Sequence, residues 1–142
     1  MLLIPERSHC KINQKIIVSK DKGSQREHRA ENPRQQYKVR HYKLDGELVQ
    51  NRTCCDFLLV NDSGKKAYFI ELKGGHIEDA IRQLEKGADI CRPELSEYDF
   101  YYRIVSSKVR THNVQKSAYR KFKDRHGSRF KCQTGCMEEV LL

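Results

Sequence analysis

Two apolar runs, Phe57 to Val60 (FLLV) and Ala67 to Ile70 (AYFI), stand on either side of the turn-rich stretch NDSGKK, and they constrain this chain more than any other feature. Short apolar runs bounded by Asn, Asp, Ser and Gly read as a buried β-hairpin, with strands expected over about residues 54–60 and 67–73. Three charges, Asp56, Glu71 and Lys73, fall inside these strands, where burial makes charge costly. With the turn over residues 61–66, Val60 faces Ala67, and counting back brings Asp56 opposite Glu71. Alternation along the second strand places Glu71 and Lys73 on one face. Two carboxylates on one rung repel each other, and a divalent cation removes the conflict.

A hard cation such as Mg²⁺ takes a few carboxylate oxygens and several waters, with substrate phosphate completing the octahedron. Asp56 and Glu71 supply carboxylates, and the backbone carbonyl of Leu72 between Glu71 and Lys73 supplies a further oxygen. The ammonium of Lys73 is then placed to orient or deprotonate the attacking water. This set points to hydrolysis at phosphorus.

The elements around the hairpin follow from periodicity. QQYKVRHYKLDGELV alternates, with Tyr37, Val39 and His41 on one side, and predicts a first strand ending near a turn at Asp45-Gly46. After the hairpin, Ile77, Ala80, Ile81, Leu84, Ala88 and Cys91 follow the i, i+3, i+4 spacing of one helix face, and Pro93 ends that helix. YDFYYRIVSSKV predicts a strand near 99–106. NVQKSAYRKFKDRHG predicts a second helix with Val114, Ala118, Tyr119 and Phe122 on its apolar side and Gly127 as its stop. SRFKCQTGCMEEVLL is read as a short final strand or turn, and the polar N-terminal segment as a short helix. The order is an α/β architecture with one mixed sheet flanked by helices.

Asp56, the turn, and Glu71-Leu72-Lys73 on a strand resemble the core motif of the PD-(D/E)XK nuclease superfamily, and the resemblance spans roughly Tyr37 to Ser106. It implies a restriction-endonuclease-like or Holliday-junction-resolvase-like αβββαβ core. It also implies Mg²⁺ or Mn²⁺ held by Asp56 and Glu71, with Lys73 assisting the water. Many members carry a glutamate on a helix before the first strand, which Glu31 or Glu27 in REHRAENP would match. Some place a glutamine on the helix after the lysine, and Gln83 in AIRQLEKG is positioned similarly. The implied activity is a divalent-metal-dependent endonuclease, with DNA rather than RNA the expected substrate, as a homodimer or part of a larger assembly in a phage, mobile-element or defence setting. The rival expectation is a nuclease-like module that binds nucleic acid or protein without cutting.

Charge fits a polyanion partner. The net charge is +9 in 142 residues. Residues 7–43 and 107–131 each sum to +8, whereas 44–106 sum to −4. Basic flanks around an acidic centre suit carboxylates holding cations while Lys and Arg attract phosphates. Lys116, Arg120, Lys121, Lys123 and Arg125 on the second helix are the expected nucleic-acid contacts. The length suits a single domain over 1–142. With a mean hydropathy of −0.82 and no run of about 18 apolar residues, no membrane span is expected.

MLLIPERSHC has neither a basic leader nor a long apolar centre, which predicts an intracellular, cytoplasmic protein. The six cysteines are therefore expected as free thiols. Cys54 and Cys55 are expected on opposite faces of their strand and Cys91 on the apolar helix face. Cys132 and Cys136 offer two zinc ligands, but no second close Cys or His pair completes a finger, and a structural zinc is disfavoured.

Overall fold

The computed structural model describes residues 1–23, 25–73, 76–107 and 116–142, with Lys73 described by its backbone alone. The expectations for the Lys73 ammonium and Val114 lie outside the described residues.

The chain forms an α/β structure with two sheets and two helices. A five-stranded sheet contains β3 (Val39–Lys43), β4 (Phe57–Asn61), β5 (Lys66–Lys73), β6 (Asp99–Ser106) and β7 (Phe130–Thr134), in that spatial order. The pairs β3·β4 and β4·β5 are antiparallel, whereas β5·β6 and β6·β7 are parallel. The parallel step is bridged by α1 (Ile77–Cys91), as parallel neighbours require a crossover. A second sheet holds β1 (Ile16–Lys20), β2 (Glu27–Glu31) and β8 (Cys136–Val140) in the order β1-β2-β8. The second helix, α2, spans Ser117–His126 and stops at Gly127, whose φ of 55 gives a left-handed turn-out.

The five-stranded sheet has two differently covered faces. On one, Leu58, Val60, Phe69, Tyr102, Ile104 and Phe130 pack against Ala80, Leu84 and Ala88 of α1 and Phe122 of α2. On the other, Val39, Leu59, Tyr68, Ile70 and Val105 meet Ile17, Ala30 and Met137 of the small sheet. Strands buried on both faces read as continuous apolar runs, which is why FLLV is buried at every position. Helices thus cover one face only, and a second sheet replaces the helical layer expected on the other.

Three local expectations are corrected. The N-terminal segment forms a β-hairpin, not a helix, because Ile17 and Ser19 on β1 and His28 and Ala30 on β2 alternate inward. Cys54 and Cys55 precede β4, in backbone that is not strand, so both side chains enter the same core instead of opposite faces. The C-terminal segment supplies two strands joined at Gly135 (φ 76), one for each sheet.

Among the described residues no helix is long and apolar enough to cross a membrane.

Candidate functional site

The hairpin register is the one its turn dictates. Val60 pairs with Ala67 and Phe57 with Ile70, so the next rung sets Asp56 opposite Glu71. At that rung the side chains take over from the ladder. The Asp56 N–H donates to Glu71 Oε1 at 3.1 Å, and the Leu72 N–H donates to Asp56 Oδ2 at 2.9 Å. Each carboxylate is thereby anchored to the backbone of the opposing strand, which holds both at the mouth of the hairpin. Glu71 is buried, 2% exposed, and Asp56 is half-buried.

Asp56 carries the electrostatic strain. Burial raises its pKa, the Leu72 N–H opposes that rise, and two further carboxylates, Asp21 and Asp45, add to it while Lys43 relieves it. The last two positions follow from β3. Leu44 donates to the Asp56 carbonyl at 2.8 Å and Asp45 to the Cys55 carbonyl at 3.2 Å, so the turn after β3 brings Asp45 alongside. Lys43 lies 4.9 Å over the Phe57 ring and 3.5 Å from Asp21 Oδ1. Asp21 and Asp45 are the acidic neighbours that sequence reasoning missed. Asp45 was visible only as a turn residue, and Asp21 reaches the site from the connection between β1 and β2, which no local spacing signals.

Lys73 ends β5, paired with Ser106 of β6. Gln83 belongs to a stripe of α1 with Asp79 and Gly87, at i−4 and i+4. Gly87 rests against Cys55, the residue before Asp56, so this stripe lies over the carboxylate end of the hairpin. Gln83 Oε1 is buried with no hydrogen-bond partner among the described residues. Such an orphaned acceptor is uncommon and asks for a donor or cation.

The helical glutamate is not found as expected. Glu27 and Glu31 lie on β2 in the small sheet, where Glu27 sits 3.8 Å from Arg29 and the Glu31 carbonyl accepts from Leu141. The basic helix is partly spent internally. Lys116 pairs with Glu78 at 3.2 Å and Arg125 with Glu85 at 3.7 Å, tying α2 to α1. The Lys123 ammonium donates to the carbonyls of Gly127 and Phe130. Arg120 and Lys121 are exposed. Cys132 is half-buried against the helical core and Cys136 is exposed on the other sheet.

Among the described residues, no three His, Cys, Asp or Glu side chains gather closely enough to hold a metal ion. The pair Asp56 and Glu71 fits a different demand, that of Mg²⁺, which is bound through one or two carboxylates and keeps its remaining positions for water and phosphate. The raised pKa of Asp56 has the same sense: a cation there would relieve the crowding of carboxylates.

No family model, curated protein or solved structure matches this chain.

Proposed function

We propose that the chain is a divalent-metal-dependent nuclease with a restriction-endonuclease-like core, hydrolysing phosphodiester bonds in nucleic acid, with DNA as the proposed substrate. The observation that carries this reading is the reciprocal anchoring of Asp56 and Glu71, in which the Asp56 N–H donates to Glu71 and the Leu72 N–H donates to Asp56. The strand order β3-β4-β5-β6, two antiparallel steps and then a parallel one bridged by α1, agrees with the expected core.

Asp56, Glu71 and the Leu72 carbonyl would hold Mg²⁺ or Mn²⁺, which supplies Lewis-acid activation of the phosphate when bound. The backbone N–H groups of Asp56 and Leu72 fix the two carboxylates before any ligand arrives. That is the preorganisation such a site needs. Lys73 is assigned the attacking water, Gln83 a supporting polar contact, and Arg120 and Lys121 the backbone of the polymer. A homodimer or larger assembly would supply the contact area that one small domain lacks.

One observation favours a second reading, a binding module that does not cut: β2 stands where the glutamate-bearing helix was expected. Linear, circular, single-stranded and branched DNA incubated with Mg²⁺ or Mn²⁺ separates the two. The nuclease reading expects cleavage that EDTA and Lys73→Ala both abolish. Nucleic acid bound but never cut would establish the binding module, and cleavage unchanged in Lys73→Ala would refute the site.

A further inference from the structure

β1 is an outer strand of the small sheet, in the order β1-β2-β8. The Asn32 N–H donates to the Lys15 carbonyl at 2.7 Å, and the same antiparallel register continues through Ile17 with Ala30 and Ser19 with His28. Bonding alternates along an antiparallel pair. Lys15, Ile17 and Ser19 therefore turn their N–H and C=O groups toward β2, whereas Ile16, Val18 and Lys20 turn theirs away from it. The Ile16 carbonyl has that direction, because the side chain of Gln14 caps it at 2.9 Å. Among the described residues no other backbone pairs with this edge. The edge of β3 in the layer beneath is covered by residues 9–12, with the His9 N–H donating to the His41 carbonyl and the Val39 N–H to the Ile12 carbonyl.

The side chains along the edge say what would complete it. Ile16 and Val18 are half-buried on the outer face of the sheet, and Lys15 and Lys20 are exposed at its two ends, with Lys22 exposed in the turn beyond. None of these three lysines is ion-paired among the described residues, where Lys43 and Lys116 make the lysine salt bridges. The acidic groups beside Lys20 are taken: Asp21 by Lys43 at 3.5 Å, and Glu27, opposite Lys20 on β2, by Arg29 at 3.8 Å. An unpaired backbone edge with an apolar centre between free cations is complementary to an extended strand with a β-branched middle and carboxylates at both ends. A second copy of β1 fits poorly, because two-fold pairing about Val18 gathers the lysines of both copies on one short ribbon. Nucleic acid would meet the lysines but brings no row of N–H and C=O groups to the edge.

We propose that the β1 edge is a docking site for a protein partner, which adds an extended acidic segment as a fourth strand of the small sheet. The Val18 N–H donates to the added strand and the Val18 carbonyl accepts from it. Lys20 continues the ladder, as does Ile16 once Gln14 releases its carbonyl. The partner's carboxylates meet Lys15 and Lys20. Ile17 and Ser19, buried against the large sheet, keep their places. The site uses neither Asp56 nor Glu71, so it stands or falls apart from the nuclease reading.

The probe is a fluorescent peptide with a β-branched centre between paired glutamates, titrated into the full chain by anisotropy. Saturable binding is expected, with slower exchange of the Val18 amide and no change at the Ile17 amide, which is already bonded to β2. Val18→Pro removes an outward N–H and leaves the ladder to β2 intact, so it should weaken binding by about tenfold or more. The double variant Lys15→Glu, Lys20→Glu should do the same with a thermal midpoint near that of wild type, because both side chains are exposed. A peptide with proline at its centre makes the backbone test on unaltered protein and should bind as weakly as the peptide does to Val18→Pro. Equal binding of the proline peptide, or an unchanged Val18 amide, would mean that charge alone holds the peptide and would overturn the proposal. Absence of saturable peptide binding overturns it as well. Self-association that Val18→Pro abolishes would give the edge to a second copy, and single-stranded DNA that slows Val18 exchange as much as the peptide would give it to nucleic acid; either result overturns the proposal.

Discussion

Gly87 of α1 lies so close to Cys55 that a Cβ on the glycine would come within 2.6 Å of the thiol sulfur, with the Cys54 sulfur at 3.5 Å. In an open helix Gly→Ala gains about 1 kcal/mol. Here the added methyl must displace a fully buried thiol one residue from Asp56. Gly87→Ala is expected to destabilise the protein by about 1–3 kcal/mol, the usual range for overpacking. Adding Cys55→Ala should recover most of that loss, read by denaturant titration as a coupling between the two sites. Independent, additive losses would mean that the contact is not the cause.

Asp56 should behave as a group whose charge is tolerated for a ligand's sake. Burial and the carboxylates of Asp21 and Asp45 raise its pKa above the unfolded value, against the pull of the Leu72 N–H and Lys43. Linkage then works against the folded state: stability is fullest at pH low enough to protonate Asp56 and declines as pH rises through its folded pKa. Asp56→Asn keeps an oxygen for the Leu72 N–H and removes the charge. Without divalent ions at pH 7, the variant should match or exceed wild type in thermal midpoint. With Mg²⁺ or Mn²⁺ at about 100 times its Kd, wild type should gain about 2.7 kcal/mol and the variant almost none. A variant that gained as much as wild type would overturn the proposed role of Asp56 as a metal ligand.

Much of this site was readable because it depends on a local turn. NDSGKK sets the hairpin register and the register sets Asp56 against Glu71, so two carboxylates 15 positions apart needed no long-range information. The same holds for α1, whose apolar residues repeat at helical spacing. The small sheet was hidden for a physical reason: its inward positions include Ser19 and His28, polar residues paired within the interior, so its alternation resembled a solvated segment. Asp21 was out of reach altogether, because its approach to Asp56 depends on how one sheet packs on another.

That polar interior makes the small sheet acid-sensitive. Glu139 of β8 accepts two bonds from Arg103, at 2.8 and 3.0 Å, and lies 2.5 Å from His28. Burial acts to raise its pKa, but the bonds from His28 and Arg103 win and hold it at about 2. A depressed carboxylate contributes stability above its unfolded pKa, near 4.5, and loses it as pH falls toward 2. The shift is worth on the order of 3 kcal/mol. His41, bonded to Ser19 at 2.8 Å and stacked on Phe57, is lowered to about 4 by burial and by His9 and His28. The unfolded chain takes up its proton first, so stability falls from pH 6.5 down to 4 by a similar amount. Unfolding free energies across this range should show both limbs. His41→Gln should flatten only the upper one, and a slope retained there in the variant would assign it to another group.

Arg120 and Lys121 should dominate polymer binding by α2, because their neighbours are engaged elsewhere. Lys116 and Arg125 face Glu78 and Glu85, and Lys123 is held by two carbonyls. A cation free to neutralise a phosphate releases one counterion, worth about 0.9 in the slope of log K against log salt. The double variant Arg120→Ala, Lys121→Ala should therefore weaken DNA binding and reduce that slope by about 2. Arg125→Ala should change it by much less, since its charge is already balanced by Glu85 at 3.7 Å. Both effects are read from binding titrations at several salt concentrations, with the secondary-structure spectrum as a control for folding. Equal slopes for wild type and the double variant would place the polymer on another face of the protein.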